Sequence, residues 1–326
     1  MILSTENTIT ELSSFLSENN ILQKNELIKS IEKPGEGNMN VVLRITTNNR
    51  SFIAKQSRPF VQKYQDIPAP IDRILVEYEF YKNIKNSKVN CYLPKLIAFL
   101  PEYHMLFLED LGESKDMSFI YNSKSISIKH IKHLVEILES IHKIKVSNYP
   151  ANLELRKLNH QHIFILPFIN DNGINLDDIQ EGLTEISQAI INDPNIKAKV
   201  NEFGNLYLSE GEVLLHGDYY PGSWMQQDDS IFVLDPEFSF TGPAEFDVAV
   251  MIAHLVMATS QETIFEEVAK LYNGHLNLNL VKTFTGIEIV RRIIGLAQLP
   301  LQRTLEEKLR LLILAKSWIL NENAYS

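Results

Sequence analysis

HGDYYPGS at residues 216–223 and DPEFSFTGPAEFD at residues 235–247 place two carboxylates, Asp218 and Asp235, just past two short apolar runs, 213–215 and 231–234. Phosphoryl transfer needs a carboxylate that orients an attacking hydroxyl and takes its proton. It also needs oxygen ligands for a magnesium ion bridging the phosphates. Asp218 suits the first role and Asp235 the second. In an extended chain Glu237 shares a face with Asp235, so both carboxylates can point at one ion. Ser223 is a further oxygen donor at the end of the loop.

Working back toward the N-terminus, GEGNMN at 35–40 lies between two β-type runs, Lys55 sits inside SFIAKQ, and Glu77 falls on the helical segment that follows. Backbone N–H groups freed by Gly35 and Gly37, with Asn38 and Asn40 beside them, can face ATP phosphates. Lys55 would reach the α- and β-phosphates while an ion pair to Glu77 holds it. Glu79 is the competing partner. A glycine-rich turn alone is a weak signal; the order turn, lysine, helix acid is that of a kinase small lobe.

The surrounding pattern divides near residue 110. Before it, short β-type runs at 27–31, 40–45, 51–56, 96–99 and 104–108 accompany one helix at 71–84, and Thr46–Asn49 reads as a hairpin turn. After it, helical periodicity dominates, at 127–144, 175–191, 244–258, 283–297 and 302–320. The expected class is α+β, with a two-lobed, protein-kinase-like fold: a small lobe over 1–110 for the nucleotide and a larger helical lobe over 111–326 for catalysis and substrate.

Composition narrows the function. With 44% hydrophobic and 22% charged residues, 326 residues suffice for a folded core. The net charge of −10, with no Lys/Arg-rich run, opposes binding to nucleic acid. The N-terminus carries no leader-like apolar run and no window approaches a membrane span, so no membrane association and a cytoplasmic location are expected. The single cysteine, Cys91, excludes an internal disulfide, and the His160-x-His162 pair lacks further ligands at zinc spacing. No GxSxG elbow, Walker A lysine or dinucleotide-binding glycine motif is present.

These motifs resemble the aminoglycoside and choline phosphotransferase superfamily, whose catalytic loop reads HGDxxxxN, and more closely the 5-methylthioribose kinases. There the loop asparagine is a serine, as in HGDxxxGS, and the metal-binding stretch reads DPEFxFxGPxxFD. GEGNMNVVLRI, AKQSRPFVQKY, EDLG and RRIIGLAQ at 291–298 extend the likeness from about residue 30 to 300. The resemblance implies Asp218 as base, Asp235 and Glu237 as metal ligands and Lys55 as a phosphate contact. It puts Glu109, Asp110 and Leu111 at an adenine hinge, and Arg291 and Arg292 at the substrate. Asp247 is expected to buttress the catalytic loop. The chain departs from the family at Tyr219, Tyr220 and Pro221, where Leu, His and Thr are expected. ATP and Mg²⁺ are the implied cofactors, and the family likeness suggests a homodimer. The expected activity is phosphorylation of a small-molecule hydroxyl, with 5-methylthioribose or a related sugar first. Aminoglycosides, choline-like alcohols and a nucleotide-binding pseudokinase are the alternatives.

Overall fold

A computed structural model describes residues 1–35 and 39–322. Gly37 and Asn38, two of the expected nucleotide contacts, lie outside the described residues. Five strands form the N-terminal sheet: β1 (Ile28–Glu32), β2 (Val41–Thr47), β3 (Ser51–Gln56), β4 (Leu96–Leu100) and β5 (Met105–Glu109). Their order is β1-β2-β3-β5-β4, every neighbouring pair antiparallel. The β2–β3 hairpin forms where the Thr-Asn-rich turn was expected, closed by Thr47 N–H to the Arg50 carbonyl at 2.8 Å.

Strand β5 shows why the sheet needs cover on both faces. Met105 and Phe107 point one way, Leu106 and Leu108 the other, and all four are buried. The first pair joins Leu12 and Leu16 of helix α1 (Ile9–Glu18) in a small core. The second pair joins Ile74, Phe80 and Ile84 of helix α2 (Arg73–Ile84) in the large core that continues through the helical part. Helix α1 was not expected from the sequence, although Thr8 and Glu11 form a reciprocal capping box at its start.

The remainder is mostly helical, as expected. Its framework includes α3 (Ile128–His142), α4 (Ala244–Thr259), α5 (Leu278–Ile294) and α6 (Leu305–Leu320). Fourteen residues of α4 are buried, so it is a central helix covered on every side rather than one with a single apolar face. The expected helix at 175–191 is instead two pieces, Leu176–Ile179 and Leu183–Ile191, parted at Gly182, whose φ of +84° no right-handed helix contains. A 15-residue helix, Pro194–Leu208, was missed. Its polar Lys, Asn and Glu residues blur its periodicity.

Between these helices lie β6 (Val213–Leu215), β7 (Trp224–Gln227), β8 (Ser230–Val233) and β9 (Phe240–Gly242). β6 pairs with β9, and β7 with β8, both antiparallel. This all-antiparallel arrangement brings the 216–223 loop and the 235–238 turn side by side. Among the described residues no helix is long and apolar enough to cross a membrane.

Candidate active site

The 216–223 loop is pinned from beneath. Asp247, fully buried on α4, accepts the His216 N–H at 2.7 Å and the Gly217 N–H at 2.9 Å, and His142 Nε2 lies 3.3 Å from it. A carboxylate that takes two backbone donors this way leaves neither orphaned in the core. Gly217 has φ +84°, and a Cβ there would collide with the Phe238 carbonyl oxygen. His216 donates from Nε2 to the Leu234 carbonyl at 2.9 Å, which leaves Nδ1 to accept the Asp218 N–H at 3.3 Å. Tyr219 is fully buried and donates to the Leu134 carbonyl at 2.8 Å, so its departure from the family pattern serves an anchor.

The second stretch is not extended. Asp235 adopts a left-handed conformation with φ +60°, and Pro236–Phe238 form a tight 3₁₀ turn. The shared-face argument for Asp235 and Glu237 therefore fails, because Pro236 cannot continue a ladder and the chain bends at Asp235. Such a backbone costs about 1 kcal/mol in a non-glycine residue and tends to mark functional positions. The two carboxylates still converge, through Lys55. Its Nζ lies 2.7 Å from Asp235 Oδ1, 2.7 Å from Glu77 Oε2 and 4.0 Å from Glu237 Oε1.

Lys55 reaches this point because its side chain leaves β3 on the face toward α2, one turn of which carries Glu77. Glu79 points away and pairs with Lys82 on the surface. Burial alone would lower the Lys55 ammonium pKa, but Asp235, Glu77 and Glu237 outweigh it and hold the group well above its ordinary value. Burial pushes the Glu77 carboxyl upward, and the ammonium beside it pulls the other way. The Lys55–Glu77 contact pairs opposite charges without the alignment of a hydrogen bond, and Glu77 Oε1 has no hydrogen-bond partner among the described residues. Three carboxylates thus share one lysine, and Asp235, 54% exposed, is the one open to solvent.

Glu237 is buried and has a second cation. Arg73 Nε is 3.2 Å from its Oε2, and Asn40 Nδ2 donates to the same oxygen at 2.9 Å. Arg73 is also held by the carbonyls of Met39, Arg58 and Pro70, each at 2.7 Å, and by Asn40 Oδ1. Sequence reasoning missed Arg73; its position at the start of the helix that carries Glu77 was the available signal. Asn40 faces Glu237 and Arg73, whereas Gly35 lines the cavity described next.

A cavity of about 610 Å³ opens between the sheet and the helical part, lined among others by Val42, Ile53, Lys55, Leu108, Met225 and Asp235. Glu109, Asp110 and Leu111 line it too. The Asp110 carboxylate pairs with Arg44 at 2.9 Å, that of Glu109 takes Lys95 Nζ at 3.1 Å, and the Leu111 carbonyl accepts Gln227 Nε2 at 2.6 Å. The buried Tyr81 hydroxyl, also at the wall, has no hydrogen-bond partner among the described residues. Ser223 is buried in the turn; its N–H bonds to the Tyr220 carbonyl at 2.8 Å and its own carbonyl accepts the Leu234 N–H at 2.9 Å, tying the two acidic stretches together.

Asp218 is not part of that lining. It faces α5, where Arg292 NH2 lies 3.8 Å from its Oδ1. Burial raises the Asp218 carboxyl to about 6 against the opposing pull of Arg292 and Arg291. The Arg292 guanidinium lies over the Tyr220 ring, 5.0 Å from its centre. Arg291 and Arg292 both bond to Glu288, at 2.9 Å and 2.6 Å. Glu288 was absent from the sequence reading. Among the described residues no group of three or more His, Cys, Asp or Glu side chains is arranged as a ready metal site.

The fold and this geometry define a class before they define a substrate. Residues 30–279 match the Phosphotransferase enzyme family, and the chain belongs to that family of small-molecule phosphotransferases. It is similar to the methylthioribose kinase of Geobacillus sp. (strain WCH70), 24% identical over 323 residues, covering 84% of this chain and 80% of that protein. It is similar also to the methylthioribose kinase of Exiguobacterium sibiricum, 28% identical over 247 residues, covering 70% of this chain and 61% of that protein. Among solved structures, spectinomycin phosphotransferase in complex with ADP and spectinomycin has a TM-score of 0.57 over 96% of this chain and 99% of that one, at 12% identity. Choline kinase LicA from Streptococcus pneumoniae has a TM-score of 0.52 over 95% and 99%, at 13% identity. The α+β architecture expected from the sequence is therefore that of known phosphotransferases over nearly the whole chain.

Proposed function

We propose that this protein transfers the γ-phosphoryl group of ATP to a hydroxyl of a small neutral molecule, with 5-methylthioribose the first candidate. The observation that carries the reading is the pairing of a lysine-centred carboxylate cluster at the cavity wall with a half-buried, basic carboxylate, Asp218, beside two arginines. Lys55, held by Glu77, would contact ATP phosphates entering the cavity, and the 109–111 segment would border the base. Asp218 would accept a hydrogen bond from the substrate hydroxyl and take its proton as the bond to phosphorus forms. Arg292 is near enough to steady the charge that develops there.

Mg²⁺ fits the residues present: Asp235 is exposed, and the crowding of Asp235, Glu237 and Glu77 around one ammonium is the kind of negative excess a divalent cation relieves. Asp235 would hold it, with Glu237 behind, and the ion would supply charge neutralisation on the phosphates. Catalysis by the chain itself would come from positioning and fixed charge.

Arg291 and Arg292 are matched by Glu288 and Asp218, so this side of the site has no surplus negative charge to draw in a polycationic aminoglycoside or the quaternary ammonium of choline, which favours a neutral acceptor. The similarity to methylthioribose kinases points the same way. The test is ADP release from Mg²⁺-ATP across 5-methylthioribose, ribose, choline, homoserine and several aminoglycosides. Turnover on the thio-sugar is expected, falling about 10²–10⁴-fold in Asp218→Asn. ATP binding with no turnover on any compound would replace this reading with a nucleotide-binding pseudokinase.

A further inference from the structure

Arg292 sits between two carboxylates but bonds to only one. Its Nε is 2.6 Å from Glu288 Oε1, while its NH2 is 3.8 Å from Asp218 Oδ1. A direct charge-assisted bond between guanidinium and carboxylate measures about 2.7–2.9 Å, so the second contact stops roughly 1 Å short. The restraint has a visible cause. Glu288 is buried and accepts only, so His254 donates to it from Nε2 at 3.1 Å. The lone pair left on His254 Nδ1 then takes the Tyr121 hydroxyl at 2.6 Å. Burial keeps His254 neutral, its pKa lowered to about 4, which preserves this direction of donation. Arg291 adds two bonds from NH1 to the Glu288 carboxylate, at 3.0 and 2.9 Å.

We propose that Glu288, clamped by His254 and Tyr121, is a positioning residue that holds the Arg292 guanidinium back from Asp218, so that the Asp218 carboxylate stays free to receive a substrate hydroxyl. This rests on the reading of Asp218 as the base. Released from Glu288, the guanidinium would close on Asp218 as a two-pronged ion pair. That would occupy the oxygens the substrate needs and weaken the carboxylate as a proton acceptor. The other charged groups acting on Asp218 are Arg291, on the same helix as Arg292, and Glu237 on the 236–238 turn. The Asp218 charge acts in turn on Tyr220, Tyr121 and Tyr207, whose pKa values are raised chiefly by burial, and His216 Nδ1 accepts the Asp218 N–H. Beside the 2.6 Å bond to Glu288, Arg292 has weaker contacts: its guanidinium lies over the Tyr220 ring, 5.0 Å from its centre, and its NH1 donates to the Ala297 carbonyl at 3.5 Å.

Two substrate-free measurements decide it. In a crystal structure of Glu288→Gln, the Arg292–Asp218 separation is expected to contract from 3.8 Å to about 2.8 Å; an unchanged separation overturns the proposal. By carbon-13 NMR of labelled aspartate, the Asp218 titration midpoint is expected to fall by about one pH unit or more in Glu288→Gln. Removing a negative charge would lower it somewhat without any movement of Arg292, so the same substitution is repeated in an Arg292→Gln background. There the shift should shrink to less than about a third. An equal shift in both backgrounds means Glu288 acts by its own charge, and the proposal falls. Should the single variant not fold, Glu288→Gln with Arg291→Met removes one charge of each sign from the core and carries the same readouts. Both measurements stand apart from turnover: failure of the wild type on every substrate would overturn the proposed function, not the geometry tested here.

Discussion

Two charge clusters contain the candidate site residues, and they are built differently. Around Lys55, three carboxylates, Glu77, Asp235 and Glu237, face one ammonium and the Arg73 guanidinium. Around Glu288, two carboxylates, Glu288 and Asp218, face the two guanidiniums of Arg291 and Arg292. The first has negative charge to spare and an exposed member. The second is balanced and closed in by His254 and Tyr121. Charge excess is what a cluster needs to recruit a cation and its phosphates, whereas balance lets a cluster hold a geometry without drawing in ions.

The largest expected effect breaks the first cluster. Asp235→Asn should lower kcat on the order of 10²-fold or more, and the thermal shift that Mg²⁺ produces in the wild type should vanish. A variant that keeps its Mg²⁺ response would show that the surplus charge is not a cation site. The second cluster is probed by pH. With the Asp218 carboxyl raised to about 6, its proton must leave before it can act as a base, so kcat/KM should fall about tenfold per pH unit below that point. An acid limb near the ordinary aspartate value of about 4 would mean the burial of Asp218 does not govern its chemistry. The smallest effect sharpens what belongs to neither cluster. Glu79→Gln removes only a surface pair with Lys82 and should change stability by less than about 0.5 kcal/mol with turnover intact. Glu77→Gln, two residues away, should lose most of its activity. Equal losses in the two would refute the assignment of Glu77 as the partner of Lys55.

The legible parts of the site were those carried by local chemistry. HGD and DPEF announce themselves because a tight glycine turn and a proline-bounded acid need those residues at those spacings. The strands of the sheet were legible because each alternates or runs apolar over a few residues. Glu77 and Glu79 looked alike in sequence, and only the orientation of α2 against β3 separates them. Arg73, His254 and Glu288 gave no signal of their own. Each is a polar residue on a helix expected for other reasons, and each acquires its role from a group supplied by a distant segment: residue 237 for Arg73, residue 121 for His254, residue 254 for Glu288.

By itself the sequence determined the class: an antiparallel sheet ahead of a helical part, with a lysine and two aspartates at the spacings phosphoryl transfer uses. It could do so because backbone propensity, turn chemistry and apolar period act over a few residues. The tertiary structure alone decided how the charges are shared, giving Lys55 three carboxylate neighbours, Glu237 to Arg73, and Arg292 to Glu288 ahead of Asp218. Electrostatic pairing depends on which side chains lie within a few ångströms after the chain has packed, and residues separated by 180 positions, as Lys55 and Asp235 are, meet only then.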